Sequence, residues 1–161
     1  MDPLPFSIRK ARPEDVFEVH RVHTTAIRHG ASDDYAPEVL EAWVDAFNPD
    51  NFPKNLETME FFVAELEDGR IGGFLAMDLQ GRELESMYVA PWGKGFGLGS
   101  FLLGFAEELA RREGLRDLWL DSSLNAVSFY AGYGWREVER HARLRGAIEI
   151  PVVKMEKSLE S

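Results

Sequence analysis

A run of alternating glycines, Gly93-Lys94-Gly95-Phe96-Gly97-Leu98-Gly99, stands between a strand pattern and an amphipathic helix pattern and limits what this chain can fold into. Upstream, Glu83 to Val89 reads as a strand. Downstream, Leu98, Phe101, Leu102, Phe105 and Leu109 recur at helical spacing until Gly114. Glycines in such a turn admit left-handed dihedrals and let a ligand come close to the backbone. The free N–H groups at the helix start, together with the positive end of the helix dipole, then make an anion site. The Walker pattern is absent, because Lys94 is followed by Gly95, and the dinucleotide pattern G-x-G-x-x-G fails in strict register. Packing a helix close to a strand is the competing use of such a turn, and the run alone does not decide between them.

The rest of the chain supplies the elements around this turn. Phe6 and Ile8 alternate with polar neighbours as a short strand. Pro13, with Glu14 and Asp15 behind it, opens a helix carrying Val16, Val19, Val22, Ala26 and Ile27, and Gly30 stops it. A second helix is expected from Pro37, with Val39, Leu40, Trp43, Val44 and Phe47 on one face, broken by the segment 48–53. Phe61 to Leu66 and Ile71 to Leu79 read as strands joined by a hairpin over Glu67-Asp68-Gly69-Arg70, and Gln80-Gly81-Arg82 turns into the strand from Glu83. Beyond the glycine-led helix come a strand from Leu115 to Asp121 and a short helix from Ser123 to Ala131. A final hairpin pairs Trp135 to Val138 with Ile148 to Met155 around Arg145-Gly146. The expectation is an α/β fold on residues 1–161 as one domain: a mixed, mostly antiparallel sheet of six to seven strands with helices on both faces.

Composition narrows the function. The chain has no cysteine, which excludes disulfides, thiolate nucleophiles and cysteine-based zinc sites. His20 and His23 share a helix face, but no third ligand stands at a recognisable spacing, so no metal is expected. Nothing approaches the apolar run a membrane span needs. The opening Met-Asp-Pro-Leu-Pro-Phe lacks the pattern of a secretory leader, so a cytoplasmic location is expected. The formal net charge of −10 disfavours nucleic acid and anionic membranes as partners. It also requires any anionic ligand to be attracted locally.

Two motifs then carry a resemblance. Met87-Tyr88-Val89-Ala90-Pro91 with the run from Gly93 to Leu103 resembles the cofactor motif of the GNAT superfamily of N-acetyltransferases, Q/R-x-x-G-x-G/A, with Lys94, Gly97 and Gly99 at its defined positions. Lys94 departs from the usual glutamine or arginine but keeps a cationic donor. Downstream, Asn125-Ala126-Val127-Ser128-Phe129-Tyr130 followed by Gly134-Trp135 resembles the family's N-A-x-x-F-Y-x-x-x-G-F segment. The order of elements fits the same fold over nearly the whole chain, and an unassigned bacterial branch of the superfamily is the nearest likeness.

The resemblance implies acetyl-CoA as donor. Its pyrophosphate would be bound by the amides of Gly95, Phe96, Gly97, Leu98, Gly99 and Ser100 with Lys94. The pantetheine arm would lie along Met87, Tyr88 and Val89 like an added strand, with Asn125 and Tyr130 beside it. It implies transfer to a primary amine of a small molecule by direct attack in a ternary complex. Peptide or protein N-termini are rival acceptors, and a non-catalytic acyl-CoA-binding regulatory module is the rival of another class. An amine near pKa ~10 needs a base. Glu83 and Glu85, alternate residues that project to one face of the strand, are the candidates, and by the resemblance Glu83 matches the position of the base best. Tyr130 stands where the family places the acid for the departing thiolate, and the Val89 amide would meet the charge developing on the carbonyl oxygen. Acceptor recognition is expected from the first two helices: His23, Ile27, Tyr35 and Trp43, with His29, Asp33 and Asp34 nearby. Asp33 and Asp34 also suit capping of the second helix, and Asn125 could cap the short one. Tyr133 and Trp135 are expected in or near the core, and Tyr133 could instead line the channel for the thiol. A homodimer is common in the family.

Overall fold

A computed structural model describes residues 4–160. Residues 1–3, which begin the segment read above against a leader, lie outside the described residues. The described elements are β1 (Phe6–Lys10), α1 (Val16–Gly30), α2 (Pro37–Asp45), α3 (Phe52–Thr58), β2 (Glu60–Leu66), β3 (Ile71–Asp78), β4 (Glu83–Val89), α4 (Leu98–Arg112), β5 (Asp117–Ser122), α5 (Val127–Gly132), β6 (Arg136–Arg145) and β7 (Ile148–Ser158). The strands form one seven-stranded sheet in the order β1-β2-β3-β4-β5-β7-β6. Every neighbouring pair is antiparallel except β4 with β5, which run parallel.

Helices cover both faces, and the burial of β3 shows it: every residue from Ile71 to Met77 is buried, as a strand covered on both sides must be. On one face Leu75, Met77, Leu84, Leu118, Leu120 and Met155 pack against α4 and α5 through Leu98, Leu102, Ala106 and Tyr130. On the other, Phe61, Val63, Phe74 and Ala76 pack against Val19 and Val22 of α1 and Phe52 of α3. A third cluster joins Ile27, Leu40 and Val44 to Ile150 and Val152 of β7.

Three expectations need correction. The helix from Pro37 ends at Asp45, ahead of segment 48–53 as expected, but that segment also leads into a helix that was not expected, α3: Asn48 accepts a hydrogen bond from Asp50 N at 3.0 Å, and Pro53 sits in the first turn of α3, where its missing N–H costs nothing. The last hairpin is much longer than expected, because β6 continues to Arg145 as an almost wholly exposed edge strand whose side chains carry no buried face. The carboxylates of Asp33 and Asp34 do not cap α2. Its cap position is Ala36, with no side-chain hydrogen bond.

Candidate active site

The site forms where the parallel pair comes apart. Strands β4 and β5 are in register at a single position, Glu83 opposite Trp119, closed by Trp119 N donating to the Arg82 carbonyl at 3.0 Å. Beyond it β4 pairs only with β3, and β5 only with β7. Ala90 N donates to the Gly72 carbonyl at 2.9 Å, which sets the phase of the β3–β4 ladder. By antiparallel alternation Met87 and Val89 are then non-hydrogen-bonded positions, and their N–H and C=O groups point away from β3 into the gap.

The glycine run divides into two jobs. A Cβ on Gly93 would lie 2.4 Å from the Gly72 carbonyl oxygen, so that glycine lets the turn lie against β3. Gly95 and Gly97 have φ of +90° and +71°, and a Cβ on Gly95 would meet nothing within 4 Å. The turn therefore packs against the sheet at one end and lies open at the other. From Gly95 to Ser100 the backbone amides donate to no acceptor among the described residues, and the last of them form the N-terminus of α4. Gly99 sits over the Phe129 ring and Val89.

Three cavities run together through the gap. The first, about 410 Å³, follows the glycine turn past Met87, Val89, Asn125, Phe129, Tyr130 and Tyr133. No aspartate or glutamate lines it, and Lys94 is its one charged side chain among the described residues. A neck of about 180 Å³ shares Met87, Val89, Lys94, Asn125 and Tyr130 with this groove. It shares Trp43, Glu85, Ser86, Tyr88, Asp121 and Ser123 with an outer cavity of about 310 Å³.

The two glutamates are not equivalent. Ser86 is opposite Ala76 and Leu84 opposite Met77, so Glu85 is the extra residue of a β-bulge. The bulge breaks the strict alternation on which a shared face for Glu83 and Glu85 was expected. Glu85 lines both the neck and the outer cavity; Glu83 lines neither. Burial, reinforced by Glu85 and opposed by Arg143, pushes the Glu83 carboxyl up to about 7. Glu85 is raised as well, again by burial first, with Arg143 opposing.

Tyr130 is buried on α5, its hydroxyl makes no hydrogen bond among the described residues, and it borders both the groove and the neck. Burial raises its hydroxyl above the ordinary tyrosine range, so it is a proton donor at neutral pH. Tyr88 turns its ring to the outer cavity, against His23 at 4.9 Å, and its hydroxyl accepts from Trp43 Nε1 at 3.0 Å. Burial pushes the Tyr88 hydroxyl up to about 12. The Phe96 ring is exposed and lines no part of the passage, and Leu98 faces the core with only its backbone toward the groove.

Of the residues expected to meet an acceptor, His23 and Trp43 line the outer cavity, and Ile27 and Trp43 the neck. Burial holds the His23 imidazole down at about 4, so it is neutral at physiological pH, and its Nδ1 is enclosed without a partner. Tyr35 does not reach the passage. Its hydroxyl donates to the Pro151 carbonyl at 2.5 Å and accepts from Leu124 N at 2.9 Å, tying the connection between α1 and α2 to β7 and to the turn after β5. His29, Asp33 and Asp34 line no part of the passage either. Asn125 caps no helix; its exposed side chain lines groove and neck. Trp135 is buried as expected, whereas Tyr133 is about half exposed (47%) on the groove wall, the second of the two places considered for it.

The sequence reading missed the far wall. Asp121, at the end of β5, meets His141 Nε2 at 2.7 Å and Arg143 at 3.6 Å, with only 7% of its side chain exposed. Asn48, Asn51 and Asn55 form the opposite rim of the outer cavity. The spacing of His141, Arg143 and Arg145 at alternate positions was the available signal, hidden because that stretch was not read as a strand.

The model of the acetyltransferase (GNAT) domain family matches residues 31–159. The chain belongs to this family. It is similar to the aminoglycoside N(6')-acetyltransferase type 1 of Stenotrophomonas maltophilia, at 32% identity over 127 residues covering 68% of this chain and 83% of that one. Among solved structures it is similar to a GCN5-related N-acetyltransferase from Rhodopseudomonas palustris, at 28% identity and TM-score 0.89 with 98% of each chain covered. The fold is shared too with an N-acetyltransferase from Thermoplasma acidophilum solved in complex with coenzyme A, at 22% identity and TM-score 0.78, with 95% of this chain and 98% of that one covered. Among the described residues of this GNAT chain, no helix is long and apolar enough to cross a membrane.

Proposed function

We propose that the chain transfers the acetyl group of acetyl-CoA to the primary amine of a small molecule, by direct attack in a ternary complex. The observation that carries this reading is the single passage joining an acid-free groove with six unpaired amides to a small cavity edged by carboxylates. The groove fits acetyl-CoA: open left-handed glycines, free donors at a helix N-terminus, and the unpaired edge of β4 beside them. An outer cavity of about 310 Å³ suits a small acceptor better than an extended peptide. The Stenotrophomonas relative, named for acetylating aminoglycosides, supports a small-molecule amine, and the Thermoplasma neighbour supports coenzyme A as the carrier.

Acetyl-CoA, when bound, supplies a thioester carbonyl and a thiol leaving group. The amides from Gly95 to Ser100, with Lys94, hold the pyrophosphate. The backbone of Met87 and the Val89 carbonyl hold the arm. Glu85, rather than Glu83, takes the proton that the acceptor ammonium must lose, directly or through one water. The Val89 amide, aimed into the gap, donates to the carbonyl oxygen as negative charge builds on it. Tyr130 gives its proton to the departing sulfur. No covalent enzyme intermediate is required.

Thermal unfolding with and without acetyl-CoA tests the donor site. At a hundred times its dissociation constant the ligand stabilises the fold by about 2.7 kcal/mol. Gly97→Glu, which puts a carboxylate into the turn, abolishes the shift. No shift in the wild-type protein overturns the reading. Release of free thiol with a panel of small amines then tests transfer.

A further inference from the structure

Strand β6 lays a row of cations along the outer cavity. His141, Arg143 and Arg145 occupy alternate positions of one strand and so share a face. The first two reach Asp121, and Arg143 and Arg145 both line the cavity. Arg143 is partly engaged by Asp121. Arg145 is not: it meets no carboxylate among the described residues, and its one side-chain hydrogen bond is from Nη1 to the Leu144 carbonyl at 3.0 Å. The exposed Arg145 guanidinium, unpaired among the described residues, thus lines the same cavity as Glu85 and Asp121, near enough to Glu85 to oppose the rise of its carboxyl, and gives the site both signs of charge.

The charge of the cavity departs from that of the protein. The whole chain carries −10, yet the charged lining of the outer cavity is Glu85 and Asp121 against Arg143 and Arg145, two of each sign. A polycation is attracted by the acidic surface as a whole but meets two guanidiniums on entering. A molecule with one ammonium and one oxyanion finds a partner for each: carboxylates at the neck, where the amine must go to be acetylated, and a planar donor fork at the rim. Trp43, Phe47 and Tyr88 leave an apolar wall for whatever joins the two groups.

On the acetyltransferase reading above, we infer that the acceptor is a small zwitterion, an amine that also carries a carboxylate or another oxyanion, with Arg145 as the residue that recognises the oxyanion. The passage then reads in order from the glycine turn: donor, transferred acetyl, amine, connecting body, oxyanion.

The test compares matched acceptors by kcat/KM at fixed acetyl-CoA: L-amino acids against their carboxamides, aminoalkylphosphonates as a second oxyanion, and spermidine as a polycation. The expected result is a preference of about tenfold or more for an amino acid over its own carboxamide, in line with a charge-assisted bidentate contact. Aminoalkylphosphonates show whether the site takes oxyanions generally or carboxylates alone. In Arg145→Ala the preference collapses to within about threefold of unity, and Arg145→Lys restores part of it. Leu144→Ala, which truncates the exposed neighbour on the opposite face of β6, keeps the preference. Carboxamides or spermidine used as well as the acids, or an acid preference unchanged in Arg145→Ala, overturn this inference and leave the acetyltransferase reading standing. Acetyl transfer to no amine at all overturns both.

Discussion

Glu83→Gln probes the electrostatic cost of building this site. Glu83 is held at the point where β4 and β5 meet, partly withdrawn from water and close to Glu85, Asp121 and Asp78, which raises its carboxyl from 4.5 to about 7. Because the folded state takes up the proton more readily than the unfolded chain, the neutral group's contribution is fully present below pH 4.5. It is lost as pH rises through 7. Glutamine cannot ionise and has no such loss. The displacement corresponds to at most about 3 kcal/mol, and screening of a half-buried group lowers the expectation to about 1–2 kcal/mol. Urea unfolding, followed through the four tryptophans, gives the stability of both proteins across a pH series. The advantage of Glu83→Gln over wild type is expected to grow by about 1 kcal/mol between pH 5.5 and 8.5. A difference that stays flat over that range, or a glutamine variant less stable at pH 8.5, would refute the burial of an ionisable cost at this position.

Tyr130→Phe removes the proposed acid without changing the groove. It is expected to lower kcat by about a hundredfold while isothermal titration shows acetyl-CoA affinity within threefold of wild type, and equal losses in both would argue against the acid role. Tyr35→Phe strips one buried donor and one acceptor, the bonds to Pro151 and Leu124, and is expected to lower unfolding free energy by about 2 kcal/mol. Its acceptor KM should change little; a large KM change at full stability would return Tyr35 to the acceptor site. Gly93→Ala forces a methyl against the Gly72 backbone, where neither strand can yield, and is expected to cost about 3 kcal/mol in urea unfolding. A Gly93→Ala protein of wild-type stability would mean the turn does not pack against β3 as described.

The parts of the fold that were legible in the sequence are those where pattern and chemistry agree. The strand from Glu83, the glycine turn and the helix from Leu98 each carry a signal of their own period, and they occur where expected. What stayed hidden has a physical cause in each case. Pro49 and Pro53 read as breakers because proline cannot sit inside a helix, but in a first turn the same residue starts one. Strand β6 was cut short because an edge strand exposed along its length, Arg-Glu-Val-Glu-Arg-His-Ala-Arg-Leu-Arg, has no buried face to impose an apolar alternation. The bulge at Glu85 has no composition signal at all: it is a mismatch between two strands, and neither strand contains it alone. That one extra residue separates the two glutamates, and with them the choice of base.

On the proposed reading a chain of net charge −10 has to hold a polyanion, CoA, against the sign of its own field. The groove meets that demand by composition and by geometry. Although the chain has 28 acidic residues, none of those among the described residues lines the glycine-turn groove. Exposed charges elsewhere are attenuated beyond about 8–10 Å at physiological salt, so what a phosphate meets there is set by its nearest neighbours. Those neighbours are mostly backbone dipoles, fixed by left-handed glycines and by the first turn of α4, with Lys94 as the one cationic side chain among the described residues. Dipoles of this kind are already oriented before a ligand arrives, and they do not attract cationic acceptors away from the outer cavity. On the proposed reading a division of labour follows: anion binding falls to backbone, which carries no net charge, and the carboxylates serve the other end of the passage, where an ammonium would be held and deprotonated. Further cations in the groove would add to the like charge that Arg143 and Arg145 already set beside an incoming amine and would make that second task harder.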